Sequence, residues 1–99
     1  MAHLSHNPEM LAQFCEKWHV DRLEVFGSAV RADFHAGSDI DLLVDFKPDA
    51  PVSLWDWAEM VGELRGIFGR KVDLVERAAI RNPLRLGYIT ANTQVIYAA

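Results

Sequence analysis

Asp39 and Asp41 stand two residues apart at the head of Ile40-Asp41-Leu42-Leu43-Val44-Asp45-Phe46, a stretch that places Ile40, Leu42, Val44 and Phe46 on one face. Alternation of this kind marks a half-buried strand, so both carboxylates leave the other face. At ~3.3 Å of rise per residue their Cα atoms lie about 6.5–7 Å apart. Carboxylate oxygens are the donors that hard cations such as Mg²⁺ take. At this spacing they can converge on paired ions ~3.5–4 Å apart, the arrangement of two-metal phosphoryl transfer. Side by side without a cation they repel each other.

Asp73 is the one acid inside the apolar run Val72-Asp73-Leu74-Val75. An aspartate in a buried strand is costly to desolvate, which points to a role. If that strand lies beside Ile40–Phe46, Asp73 can complete the cluster and serve as a base toward an attacking hydroxyl. Gly27-Ser28 follows a short apolar run ending in Phe26. A glycine there permits a tight turn and close backbone approach, and a serine opening a helical turn can offer its hydroxyl and N–H groups to phosphate. Arg31 is placed to project toward the same phosphates one turn later.

These groups need a scaffold. Asn7-Pro8-Glu9 reads as a helix start, and Met10, Leu11, Phe14, Cys15 and Trp18 continue it as an apolar stripe. A strand is predicted over Arg22–Phe26, then a short helical turn and loop within 28–38, then the strand Ile40–Phe46. Ser53 with Asp56 resembles a capping box. Leu54, Trp57, Ala58, Val61, Leu64 and Phe68 follow with helical rhythm up to Gly69. Val72–Val75 reads as a strand, Asn82-Pro83 as the start of a helix running to about Tyr88, and Thr93–Tyr97 as a last strand. The expected order, α-β-(α)-β-α-β-α-β, describes an α/β (α+β) domain: a small mixed sheet with helices packed on it.

The 99 residues, taken as a single domain over 1–99, allow one modest core. With 51% hydrophobic and 24% charged residues the chain is an ordinary globule rather than a disordered one. No apolar run approaches the ~20 residues of a membrane span, and the N-terminus lacks a signal-peptide layout. Cys15 is the single cysteine, which excludes an internal disulfide framework and suits a reducing, cytoplasmic setting. The net charge of −4 argues against direct nucleic-acid binding. Its layout is uneven: six aspartates and one lysine lie between Asp33 and Asp56, and six cations with two acids between Arg65 and Arg85. The four histidines show no metal-ligand spacing and read as surface residues. Asp45 shares the face of the aspartate pair as a solvent or supporting group, and Trp55 falls off the main helical stripe.

The stretch Gly27-Ser28-Ala29-Val30-Arg31 followed by Ser38-Asp39-Ile40-Asp41-Leu42 resembles the Gly-Ser-x10-Asp-x-Asp signature of the DNA polymerase β-like nucleotidyltransferases, and most closely their minimal members, the MNT proteins. The resemblance runs from Arg22 to about Val75. Val30 and Ala32 stand where many members carry alanine and glycine. The resemblance implies the polymerase-β-like fold, Mg²⁺ held by Asp39, Asp41 and Asp73 in a two-metal site, and nucleotide binding at Gly27, Ser28, Arg31 and Ser38. It implies transfer of AMP from ATP to a hydroxyl, with the antitoxin role of MNT proteins toward a HEPN-domain ribonuclease toxin, a tyrosine of the toxin being the acceptor and the pair forming a hetero-oligomer. Two other readings stand beside it: an antitoxin that neutralises its partner by contact without catalysis, and a nucleotidyltransferase of a small molecule.

Overall fold

In the computed structural model, residues 6–27 and 39–99 are described. Helix α1 spans Pro8–Lys17; the Asn7 side chain accepts from the N–H groups of Glu9 and Met10, and Pro8 sits where a missing N–H costs nothing. Strand β1 spans Val20–Phe26 and β2 spans Ile40–Phe46. Helix α2, Leu54–Phe68, opens on a reciprocal capping box between Ser53 and Asp56 and stops at Gly69, whose φ of +68° glycine adopts without steric cost. Strand β3 spans Val72–Glu76, followed by a single 3-10 turn over Arg77–Ala79. Helix α3 spans Pro83–Thr90, capped by Asn82, and β4 spans Gln94–Ala98. The predicted elements are all present apart from the short helical turn of 28–38, which lies outside the described residues. Boundaries move by one or two residues, most in β1, which begins at Val20.

The strands form one mixed sheet in the order β3-β2-β1-β4. The β1–β2 and β1–β4 pairs are antiparallel, and β2–β3 is parallel. Parallel neighbours need a crossover, and α2 supplies it. Alternation then divides the sheet. Leu23 and Val25 of β1, Ile40, Leu42 and Val44 of β2, and Val72 and Leu74 of β3 join Leu11, Phe14, Cys15, Met60 and Leu64 of α1 and α2 in a single core. The opposite face carries Glu24, Asp41, Asp45 and Asp73. None of the described helices is long and apolar enough to cross a membrane.

Cys15 is fully buried, and burial pushes its thiol up to about 12. Only the thiolate is the nucleophile. The native protein at pH 8 should therefore resist alkylation by iodoacetamide, with Cys15 modified only once denaturant opens the core. Rapid stoichiometric labelling of the folded chain, followed by mass spectrometry, would contradict this packing.

Candidate active site

The sheet register does what strand alternation alone cannot. Asp41 is aligned with Asp73 across the parallel β2–β3 pair and with Phe26 across β1–β2. Aligned residues on neighbouring strands point to the same face, ~4.8 Å apart. Asp39 stands at the mouth of β2, two residues before Asp41. Asp41 and Asp73 therefore share one face, level with the last residue of β1, and Asp39 lies just beyond that end of β2.

Gly27 turns the chain directly at that end. Its φ is +68°, and a Cβ added to it would come within 2.3 Å of Asp41 Oδ2. The backbone thus approaches the Asp41 carboxylate more closely than any side-chain-bearing residue permits. The expected close approach at Gly27 is present, and it is made to Asp41 itself.

Asp73 departs from expectation in its surroundings. It is exposed, because β3 is an edge strand and the carboxylate face is open there. No desolvation cost singles it out; its place beside Asp41 does. Ser28, Arg31 and Ser38 lie outside the described residues.

Asp41 and Asp73 share a face, and among the described residues no three His, Cys, Asp or Glu side chains form a metal cluster. Neighbouring carboxylates repel each other until a cation neutralises them. The donor set, three carboxylates and no sulfur or imidazole, suits a hard ion such as Mg²⁺ rather than zinc.

Further along the same face lies a network that the sequence pattern held but did not announce. Glu24 is only 4% exposed and is ion-paired to Arg77. Arg77 also donates from Nε to both Asp45 oxygens, at 3.0 and 3.1 Å. The Thr93 hydroxyl donates to Glu24 Oε1 at 2.7 Å, and Arg22 approaches Glu24 at 3.5 Å. A buried carboxylate is tolerable only when paired and hydrogen-bonded in this way. The network ties β1, β2, the turn after β3 and the start of β4 together behind the aspartates. Asp45, expected near solvent, is thus engaged in anchoring that turn. The signal was there: Glu24 alternates with Arg22 and Phe26 on the carboxylate face. Only the partners, 53 and 69 residues away, were beyond reach.

His6 also departs from a simple surface role, since its ring packs at 5.2 Å from Phe68. Trp55 is 85% exposed, as its off-stripe position implies.

A cavity of about 600 Å³ opens beside Gly27 and Asp41. Phe26, Gly27 and Asp41 line it on the sheet side, and Tyr88, Ile89, Ala91 and Asn92 on the side of α3. Sequence spacing offered no hint of Tyr88 or Asn92, which the fold brings to Asp41 from about fifty residues away.

Residues 8–96 match the family described as the nucleotidyltransferase domain. A candidate protein adenylyltransferase of Methanocaldococcus jannaschii is 38% identical over 68 residues, covering 69% of this chain and 67% of that protein. The protein adenylyltransferase MntA of Thermococcus cleftensis is 37% identical over 67 residues, 68% of this chain and 66% of the relative. Among solved structures, a candidate minimal nucleotidyltransferase superposes with a TM-score of 0.69 at 29% identity, covering 88% of this chain and 86% of the other. A toxin–antitoxin structure with AMP-PNP gives a TM-score of 0.73 at 17% identity, covering 94% and 74%. An MntA–HepT toxin–antitoxin structure gives 0.63 at 14% identity, covering 93% and 70%. At those identities the last two attest the fold alone.

Proposed function

The chain belongs to the nucleotidyltransferase domain family, and from that premise we propose that it is a protein adenylyltransferase, moving AMP from ATP to a hydroxyl of a partner protein. The observation that carries this reading is the alignment of Asp41 with Asp73, with the Gly27 backbone against the Asp41 carboxylate. Relatives that share about two-thirds of their length with this chain are named for that activity. Solved structures of toxin–antitoxin pairs share its fold; a HEPN-class toxin as the partner and its tyrosine as the acceptor are what the resemblance of its motif to the MNT proteins implies.

In the reaction, the acceptor oxygen attacks the α-phosphorus of ATP, the bond to the β-phosphate oxygen breaks, and pyrophosphate leaves. Asp39, Asp41 and Asp73 would hold Mg²⁺, which supplies neutralising charge for the phosphates and Lewis acidity when bound. Asp41 is held in place by the β2 register and by Gly27. Asp73, exposed beside it on the sheet edge, is positioned to accept the proton of the incoming hydroxyl. Gly27 lets the backbone come close to the phosphates, with Ser28, Arg31 and Ser38 assigned to the same nucleotide. Such chemistry rests on positioning and charge stabilisation rather than a covalent protein intermediate.

Incubation with ATP labelled at the α-phosphate, Mg²⁺ and a HEPN-domain partner tests the proposal. Label should appear on the partner with wild-type protein and be lost with Asp39→Ala. Neutralisation of the partner that persists in Asp39→Ala and Asp41→Ala, with no label transferred by wild type, would replace catalysis by contact alone.

A further inference from the structure

The cavity beside Asp41 has two unlike sides. On the sheet side are Gly27 and Asp41, assigned above to phosphate and metal. On the other side α3 presents Tyr88, with 83% of its surface exposed, and Asn92 just past the helix end. A large aromatic ring left open to solvent at the rim of a cavity of mixed polarity suits a flat partner. Pockets of a few hundred cubic ångströms that combine apolar or aromatic walls with a few polar groups are typical of small-ligand sites.

We propose that this wall is the nucleobase subsite: the Tyr88 ring stacks on the base of the bound nucleotide, and the Asn92 amide reads its edge. The inference rests on the nucleotidyltransferase reading and extends it to residues which that reading does not use. One structural observation and two chemical arguments support it. Tyr88 and Asn92 line the same cavity as Gly27 and Asp41, so a nucleotide with its phosphates at the strand end has its base within the same 600 Å³ space. Every base offers a π-face, and base–aromatic stacking is effective because the ring needs no desolvated hydrogen bond. A carboxamide can donate to N7 and accept from N6 of adenine in one bidentate contact, which guanine, with an acceptor at O6, cannot satisfy in the same way. Ile89, next to Tyr88 on the same helix, is buried and lines the cavity with it.

The acceptor side chain is the other conceivable occupant of this wall. The two make different demands: a base subsite affects nucleotide binding without any acceptor present, whereas an acceptor subsite does not.

Binding of ATP, of GTP and of inorganic tripolyphosphate should therefore be measured with Mg²⁺ by calorimetry, for wild type, Tyr88→Ala, Tyr88→Phe and Asn92→Ala. Tyr88 and Asn92 are exposed, so the variants should melt as wild type does. Tyr88→Ala should weaken ATP about 5- to 100-fold, Tyr88→Phe less than about threefold, and neither should change tripolyphosphate. Asn92→Ala should narrow the preference for ATP over GTP. ATP binding by Tyr88→Ala equal to that of wild type would overturn the subsite while leaving the enzyme reading intact, and so would equal losses for ATP and tripolyphosphate. A raised acceptor KM with unchanged ATP binding would hand the wall to the acceptor and also overturn the proposal. Failure of the wild type to bind ATP would remove both.

Discussion

Asp41→Asn is expected to reduce AMP transfer by about 10³-fold or more while the fold survives. The substitution is isosteric and keeps the Cβ seated in β2, so the β2–β3 alignment and the core below it are undisturbed. Its effect on stability should stay within about 0.5 kcal/mol, as for other substitutions that touch no core contact. What is removed is charge. Asn contributes one weak carbonyl donor where a carboxylate holds a hard cation, and the loss of a single preorganised electrostatic group already costs about 10²–10³ in turnover. Initial rates of label transfer, read together with thermal melting, check both halves. A variant that melts as wild type does and keeps transfer within tenfold would remove Asp41 from the reaction.

Gly27→Ala should separate position from charge. A Cβ at residue 27 would meet Asp41 Oδ2 at 2.3 Å, and φ at +68° is a conformation L-residues avoid. Left-handed backbone costs a residue with Cβ about 1–2 kcal/mol, so stability should fall by about that much. The collision itself is cheaply relieved, because the obstructing atom is the end of a side chain. Relief, however, means turning the Asp41 carboxylate away from where it stands. Displacement of a reacting group by about 1 Å can cost about 10²-fold, and a loss of that order is expected in label transfer. The two effects should also be coupled. In the Asp41→Asn background, Gly27→Ala should lower activity little further, since the group it displaces has already lost its function. Independent, multiplicative losses would show that Gly27 acts through the phosphates alone.

How much of this site was legible depended on how far apart its parts lie in the chain. Asp39 and Asp41 are local: strand periodicity suggested a common face, and the structure starts β2 at Ile40, with Asp41 inside it and Asp39 just before it. Gly27 was legible as a breaker at a strand end. Asp73 was found for a reason that did not hold, since it is exposed on an edge strand rather than buried in a central one. Its true qualification, alignment with Asp41, is a property of strand pairing. Glu24 was visible as a residue on the carboxylate face, but its burial depends on Arg77 and Thr93, which the chain delivers from distant turns. Trp55 and Trp57 show the same division: helical phase sorted the exposed ring from the half-buried one without help from the fold.

The sequence by itself determined the elements, the apolar face of each strand and the chemistry available: two carboxylates at the head of one strand, a glycine turn before them, a third carboxylate on a later strand. Those are short-range matters of side-chain period, capping and turn stereochemistry. The stripe read for α2 was only partly right, since Leu54 is 83% exposed and Met60 is fully buried. Tertiary structure alone decided which carboxylate neighbours which and which backbone atom presses on Asp41. It also placed α3 so that Tyr88 and Asn92 face that carboxylate across a cavity. Register and packing arise from burying all the apolar faces at once. No single segment contains that information, because each strand satisfies its own periodicity equally well beside any partner.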